Sequence, residues 1–252
     1  MARTARAISQ HGIYHVILRG VNRQQIFFDH EDCRHFLSLL ARYKNECGYR
    51  LLAYCLMGNH VHLLIQEGEV SVSSIFRHIE TAFVYWYNGK YERNGHLFQG
   101  RFTSEPVNDE RYLLTVFRYI LNNPVKAGFC AKAEDFRYSS AGEYFLGKKG
   151  ISDLTLIRSM YSDQVLKEFM VQPNNDQCLE MDDSAKSRCS DEKAKQLILR
   201  EFGTMTPLAG KPKGRASLNR SINKLMDAGI SIRQLSRLTG ITKKIIENAG
   251  KE

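Results

Sequence analysis

No run of about 18 apolar residues occurs in the 252-residue chain, so a membrane-spanning helix is excluded. The N-terminal stretch MARTARAISQHGIYHV has two arginines but no apolar segment behind them, which argues against a secretory signal and sets the expectation of a cytoplasmic, nucleoid-associated protein. The six cysteines, Cys33, Cys47, Cys55, Cys130, Cys178 and Cys189, include no CxxC pair and no His/Cys cluster at zinc-ligand spacing, and read as scattered reduced thiols. No internal repeat is present. Acidic residues are in deficit: 27 Asp+Glu face 36 Lys+Arg, a net charge of +9.

The remaining composition is that of a globular protein, with 43% hydrophobic and 25% charged residues, and the length suits one large domain or two modest ones. The positive excess makes a polyanion the first candidate partner. Its distribution is uneven, at +5 over residues 1–150, −5 over 151–192 and +9 over 193–252. Three regions are therefore expected: a domain at 1–150, an acidic linker or extension at 151–192, and a basic helical domain at 193–252.

In the first region, YHVILR (14–19) alternates with period two, as a half-buried strand does. Asp29 can cap a helix over 31–46 with Phe36, Leu37, Leu40, Tyr43 and Cys47 on one face, ended by Gly48. Residues 49–57 and 60–66 read as strands joined at Gly58-Asn59. A second helix follows Ser71 with Ile75, Ile79, Ala82, Phe83 and Trp86 at helical spacing. A short strand near 102–107 leads to Asn108, the expected cap of a third helix over 109–122, which Pro124 is expected to close. The order gives an α+β class: a ferredoxin-like split βαβ domain, an antiparallel sheet with helices on one face. In the last region, 193–202 and 217–228 look helical. SIRQLSRL, TGI and TKKIIENA then give a helix-turn-helix with Ile232, Leu235, Leu238, Ile241, Ile245 and Ile246 as its small core.

His60 and His62 flank Val61 on a predicted strand, so both imidazoles share one face and can hold one divalent cation. Tyr119 and Asn123 are four positions apart and stack along one helix face. A phenol can attack a phosphodiester, and an amide oxygen is a hard ligand suited to Mg²⁺ or Mn²⁺. Tyr112, seven residues before Tyr119 on the same face, is the rival nucleophile. His15 is read as structural or DNA-facing rather than as a ligand.

Four motifs occur in order: Tyr14-His-Val with Arg19-Gly-Val-Asn-Arg23, Met57-Gly-Asn-His-Val-His62, Phe98-Gln-Gly-Arg-Phe102, and Tyr119-Ile-Leu-Asn-Asn-Pro-Val-Lys-Ala-Gly128. Over roughly residues 8–146 they resemble single-tyrosine HUH transposases of the insertion-sequence type, in the variant of the REP-associated tyrosine transposases. The resemblance implies metal-dependent cleavage and rejoining of single-stranded or hairpin DNA. By the same analogy His60, His62 and Asn123 hold Mg²⁺ or Mn²⁺, and Tyr119 forms a 5′-phosphotyrosine. Arg19 and Arg23 read as contacts to the DNA backbone or to the acidic helix start at Glu31. Arg101 with Phe98 and Phe102 reads as a phosphate contact beside base-stacking rings, or as a solvated arginine and a hydrophobic pair anchoring a strand. Arg233, Arg237, Lys243 and Lys244 on the helix-turn-helix are further candidate phosphate contacts. A homodimer is compatible with all of this. The alternatives are a non-catalytic regulator of the same fold that binds hairpin DNA or RNA, and a relaxase or replication-initiator nuclease, for which the chain carries no helicase region.

Overall fold

In a computed structural model, residues 6–172, 178–179, 191–203 and 215–249 are described. The chain divides into two compact units, residues 1–181 and 182–252. In the first, the predicted strands form as β1 (Ile13–Arg19), β2 (Arg50–Leu56), β3 (His60–Gln66) and β4 (Thr103–Pro106). They make one antiparallel sheet in the order β2-β3-β1-β4, the split βαβ arrangement in which β3 enters between β1 and β2.

Strand register decides what each face carries. Val16 pairs with Leu63 and Leu18 with Val61, and these side chains join the core under α1 (His30–Cys47) and α2 (Val72–Lys90). Ile17 pairs with His62, Arg19 with His60 and His15 with Leu64, which places them on the opposite face. That face is covered by α3 (Glu110–Lys126), whose Leu113, Val116, Phe117 and Ile120 pack with Leu52, Ala53, Cys55 and Leu64. Helices on one face only were expected; they cover both. The signal lay in LLAYCLM and VHLLI, continuous apolar runs that suit strands buried on two sides rather than one.

Local chemistry fixes the helix ends. The Asp29 carboxylate accepts from the backbone N–H of Glu31 at 2.8 Å and Asp32 at 3.0 Å, and Gly48 closes α1 in the left-handed conformation at φ 68°. Ser71 caps α2. The cap of α3 is Asp109, which accepts from Tyr112 N at 2.7 Å, and not the expected Asn108. The Asn108 side chain instead accepts from Gln10 N at 2.9 Å and ties down the chain before β1. Pro124 does not end α3, which runs to Lys126. Its ring withholds one N–H from the helix, but Ile120, Leu121 and Pro124 are buried, and this packing outweighs the missing bond. Asn123 therefore keeps a helical direction.

Of the two expectations for 151–192, a linker or an extension, the described residues form an extension of the first unit. Residues 155–171 form two helices rather than a spacer: after α4 (Ala141–Phe145) come α5 (Thr155–Met160) and α6 (Asp163–Val171), whose Ile157 and Leu166 are buried in the α3 core. Within the expected linker, 173–177 and 180–190 lie outside the described residues.

The second unit contains α7 (Asp191–Phe202), α8 (Arg215–Asp227), α9 (Ile232–Thr239) and α10 (Lys243–Ala249). Ser231 caps α9, and Gly240 at φ 74° opens the three-residue turn to α10. Leu235, Ile241 and Ile246 are buried with Ile198, Phe202, Ile222 and Leu225, and Ile232 and Leu238 pack against them. Ile245, expected in this core, is 37% exposed, because it lies beside Ile246 on the outward side of a seven-residue helix. Cys33, Cys47, Cys55, Cys130 and Cys178 are free thiols. No helix of the described residues is long and apolar enough to cross a membrane.

Candidate active site

The period of β3 turns His60 and His62 toward α3, with ring centroids 4.9 Å apart and planes at 84°. Over them α3 delivers Tyr119 and Asn123, one helical turn apart. The Tyr119 ring stands edge-on to His62 at 5.5 Å and 78°, and Asn123 Nδ2 lies 3.3 Å from His62 Nε2. The sequence-predicted set of His60, His62, Tyr119 and Asn123 is thus brought together by one strand and one helix.

Two residues outside that set join it. His15, fully buried on β1, places Nε2 3.1 Å from His62 Nδ1, with the ring centroids 5.3 Å apart and the planes at 25°, and its edge meets Tyr119 at 5.8 Å. Lys126 holds its ammonium 5.0 Å from the centre of the Tyr119 ring. The expected helix end at Pro124 hid Lys126, because only an unbroken α3 brings position 126 to the face of 119 and 123. His15 shares strand parity with Ile17 and Arg19, a signal that was present but could not say which face α3 would cover.

Burial pushes the His15 imidazole down to about 3. It also pushes His62 well below its ordinary value, helped by the positive charge that His15, His60 and Arg19 would place nearby. Both rings are neutral at neutral pH and keep a lone pair. His60 Nδ1 lies 2.6 Å from Asn59 Oδ1, so that nitrogen carries the proton and Nε2 keeps the lone pair.

These donors fit a divalent cation. Each histidine of the pair has its Nδ1 engaged by a neighbouring side chain, the pattern of imidazoles that ligate through Nε2. Among the described residues no three His, Cys, Asp or Glu side chains gather around one point. Asn123 is the amide side chain at His62 Nε2, where it presents Nδ2; to ligate a cation it would turn its Oδ1 there.

The rival Tyr112 is tied elsewhere: its hydroxyl donates to Glu105 Oε2 at 2.5 Å, and burial together with that carboxylate raises its phenol far above 10. Arg19 lies opposite His60 on the site face. Arg23 is exposed in the turn Val21–Arg23 that follows β1, and Arg101 is exposed before β4. Phe102 is corrected as a stacking platform. Its ring is 7% exposed, packed on Phe76 at 4.8 Å and covered by the Arg6 guanidinium at 3.6 Å, so no base can reach either face. Arg233, Arg237, Lys243 and Lys244 are all exposed on α9 and α10.

Residues 9–123 match the family model described as IS200-like transposase, a span that contains β1 through the Tyr119 and Asn123 turn of α3. The matched residues, under half of the chain, lie within the first unit. Its sequence is 28% identical over 112 residues to a protein of Haemophilus influenzae with the provisional name REP-associated tyrosine transposase. That match covers 39% of this chain and 64% of the relative, so the chain spans less than two thirds of the relative's length. Two solved structures are similar as well. One, a REP-associated tyrosine transposase bound to a REP hairpin, is 18% identical with a TM-score of 0.49, covering 73% of this chain and 94% of that one. The other, provisionally named a transposase of Deinococcus radiodurans R1, is 20% identical with a TM-score of 0.35, covering 48% and 97%.

Proposed function

We propose that the first unit cleaves and rejoins single-stranded, hairpin-bearing DNA through Tyr119. The observation that carries this reading is the convergence of the Tyr119 phenol and the Asn123 amide on His62. In the first step the Tyr119 oxygen attacks a phosphorus atom. The bond from that phosphorus to the 3′ oxygen breaks, leaving a 5′-phosphotyrosine and a free 3′-OH. A second 3′-OH attacks the phosphotyrosine, restores a phosphodiester and returns the phenol, so no external energy source is needed.

His60, His62 and Asn123 would hold the divalent cation, Mg²⁺ or Mn²⁺. When bound it supplies Lewis-acid polarisation of a phosphate oxygen and a template for in-line geometry. The chain's own groups do the rest. Packing of Tyr119 against His15 and His62 holds the phenol in one orientation, which removes a large entropic part of the barrier. Lys126 is placed to stabilise negative charge as it builds on the phenol and phosphate. In the second unit, Arg233, Arg237, Lys243 and Lys244 add sequence-independent contacts to the DNA backbone.

The test is incubation with Mn²⁺ and hairpin-bearing single strands taken from the gene's own genomic neighbourhood. A covalent protein–DNA adduct that survives denaturing electrophoresis is expected from the wild type and not from Tyr119→Phe. If no adduct forms, or the variant matches the wild type, the catalytic reading fails.

A further inference from the structure

His62 has two ring nitrogens and two different neighbours. Nε2 faces Asn123 Nδ2 at 3.3 Å, and Nδ1 faces His15 Nε2 at 3.1 Å. A neutral imidazole carries one N–H. With the proton on Nε2, that N–H and the amide N–H of Asn123 would point at each other. With the proton on Nδ1, both contacts are satisfied: Asn123 donates to Nε2, and His62 donates to His15 Nε2. The second arrangement obliges His15 to carry its own proton on Nδ1, and that atom is buried with no hydrogen-bond partner. The unsatisfied donor thus falls on His15, and the ring of His62 is left fully engaged.

We propose that His15 is a positioning residue: by accepting the Nδ1–H of His62 it fixes the tautomer and ring plane in which the His62 Nε2 lone pair is turned toward Asn123 and Tyr119 for a divalent cation. The coordinating part rests on the proposed function; the tautomer does not. His15 is not itself a ligand, since its Nε2 is occupied by His62 and its other nitrogen points into the core. The residue type fits the place. His60 sits at the more open end of the pair and uses an amide oxygen, Asn59 Oδ1, as its Nδ1 partner. His62 is buried, where a carboxylate partner would add an unpaired charge away from water. A neutral imidazole accepts the same hydrogen bond without one. The two ring planes lie within 25° of each other and the rings meet edge to edge, which brings the in-plane N–H and the in-plane lone pair nearly into line.

The experiment compares the wild type with His15→Leu and His15→Gln. Long-range ¹⁵N–¹H spectra of the histidine rings in metal-free protein read the tautomer, and titration calorimetry with Mn²⁺ alone reads affinity. The wild type should show His62 protonated on Nδ1. His15→Leu should lose that single tautomer and bind Mn²⁺ about 10–100-fold more weakly, as removal of an outer partner of a ligating histidine does. His15→Gln, whose side-chain carbonyl can accept in place of Nε2, should restore both, and it carries the test if His15→Leu does not fold. A wild-type His62 protonated on Nε2, or a His15→Leu protein with unchanged tautomer and affinity, overturns the proposal. A wild type that shows the Nδ1–H tautomer but binds no Mn²⁺ at this pair sinks the coordinating half together with the proposed function, while the assignment of His15 as tautomer-setting partner stands.

Discussion

Tyr119 and His62, far apart in the chain, meet edge to face with ring centroids 5.5 Å apart at 78°. The contact sets the Tyr119 ring against the patch of sheet that carries His60 and His62, so a group fixed by α3 and groups fixed by β3 lie together. Replacing Tyr119 by Phe keeps the ring and this packing and removes only the hydroxyl that the proposed function makes the nucleophile. The variant is expected to bind hairpin DNA as the wild type does and to yield no adduct; a gel-shift titration beside a denaturing gel separates the two outcomes.

Lys126 is exposed, so its removal leaves the core intact. Lys126→Ala is expected to slow single-turnover cleavage about tenfold, which corresponds to about 1.4 kcal/mol of transition-state stabilisation, with the thermal midpoint unmoved. Recovery in Lys126→Arg would tie the effect to the positive charge. An unchanged cleavage rate would remove Lys126 from the site.

Tyr112 separates structure from chemistry on the same helix. Tyr112→Phe deletes the donor to Glu105, whose carboxylate still accepts from Leu179 N at 3.1 Å. A loss of about 1 kcal/mol in urea unfolding is expected, with adduct formation at the wild-type level. An adduct that disappears in this variant would reopen the assignment of the nucleophile.

In chelator-treated protein, stability should depend on acid through the buried histidines. His15 and His62 lie below the unfolded histidine value of about 6.5, so each favours folding fully above that pH. The contribution is lost as pH falls from 6.5 toward about 3. Glu80 has the opposite sign: burial raises it to about 7, so its contribution is present below 4.5 and lost as pH rises through 7. Comparing the wild type with His15→Gln cancels Glu80. The variant's thermal midpoint should fall less steeply between about pH 7 and about pH 4, and parallel curves would contradict the buried neutral state of His15.

The basic face of the second unit can be tested without touching the chemistry. Arg233, Arg237, Lys243 and Lys244 changed together to Gln should weaken DNA binding and flatten its salt dependence by about 0.7 in log–log slope for each single-strand phosphate, or about 0.9 for each hairpin-stem phosphate, no longer neutralised. Cleavage at saturating DNA should stay as it was. An unaltered salt slope would mean that these residues do not touch the strand.

Short-range periodicity sufficed wherever one element decides the geometry. The two-residue step of HVH placed His60 and His62 on one face, and the four-residue step from Tyr119 placed Asn123 beneath it, because strand and helix repeats are local properties of the backbone. The caps at Asp29 and Ser71 were legible for the same reason. Tertiary packing decided the rest. Parity put His15 on the face of Ile17 and Arg19, but only the docking of α3 on that face turned it into the partner of His62. Phe102 looked like a stacking ring in its motif and became core because Phe76 and Arg6, distant in sequence, close over it. Pro124 carries a local rule for ending a helix, and the burial of Ile120, Leu121 and Pro124 overrode it, carrying Lys126 to the Tyr119 ring. The sequence by itself determined which residues could share a face; which faces meet was decided by non-local burial, whose free energy exceeds any single local preference.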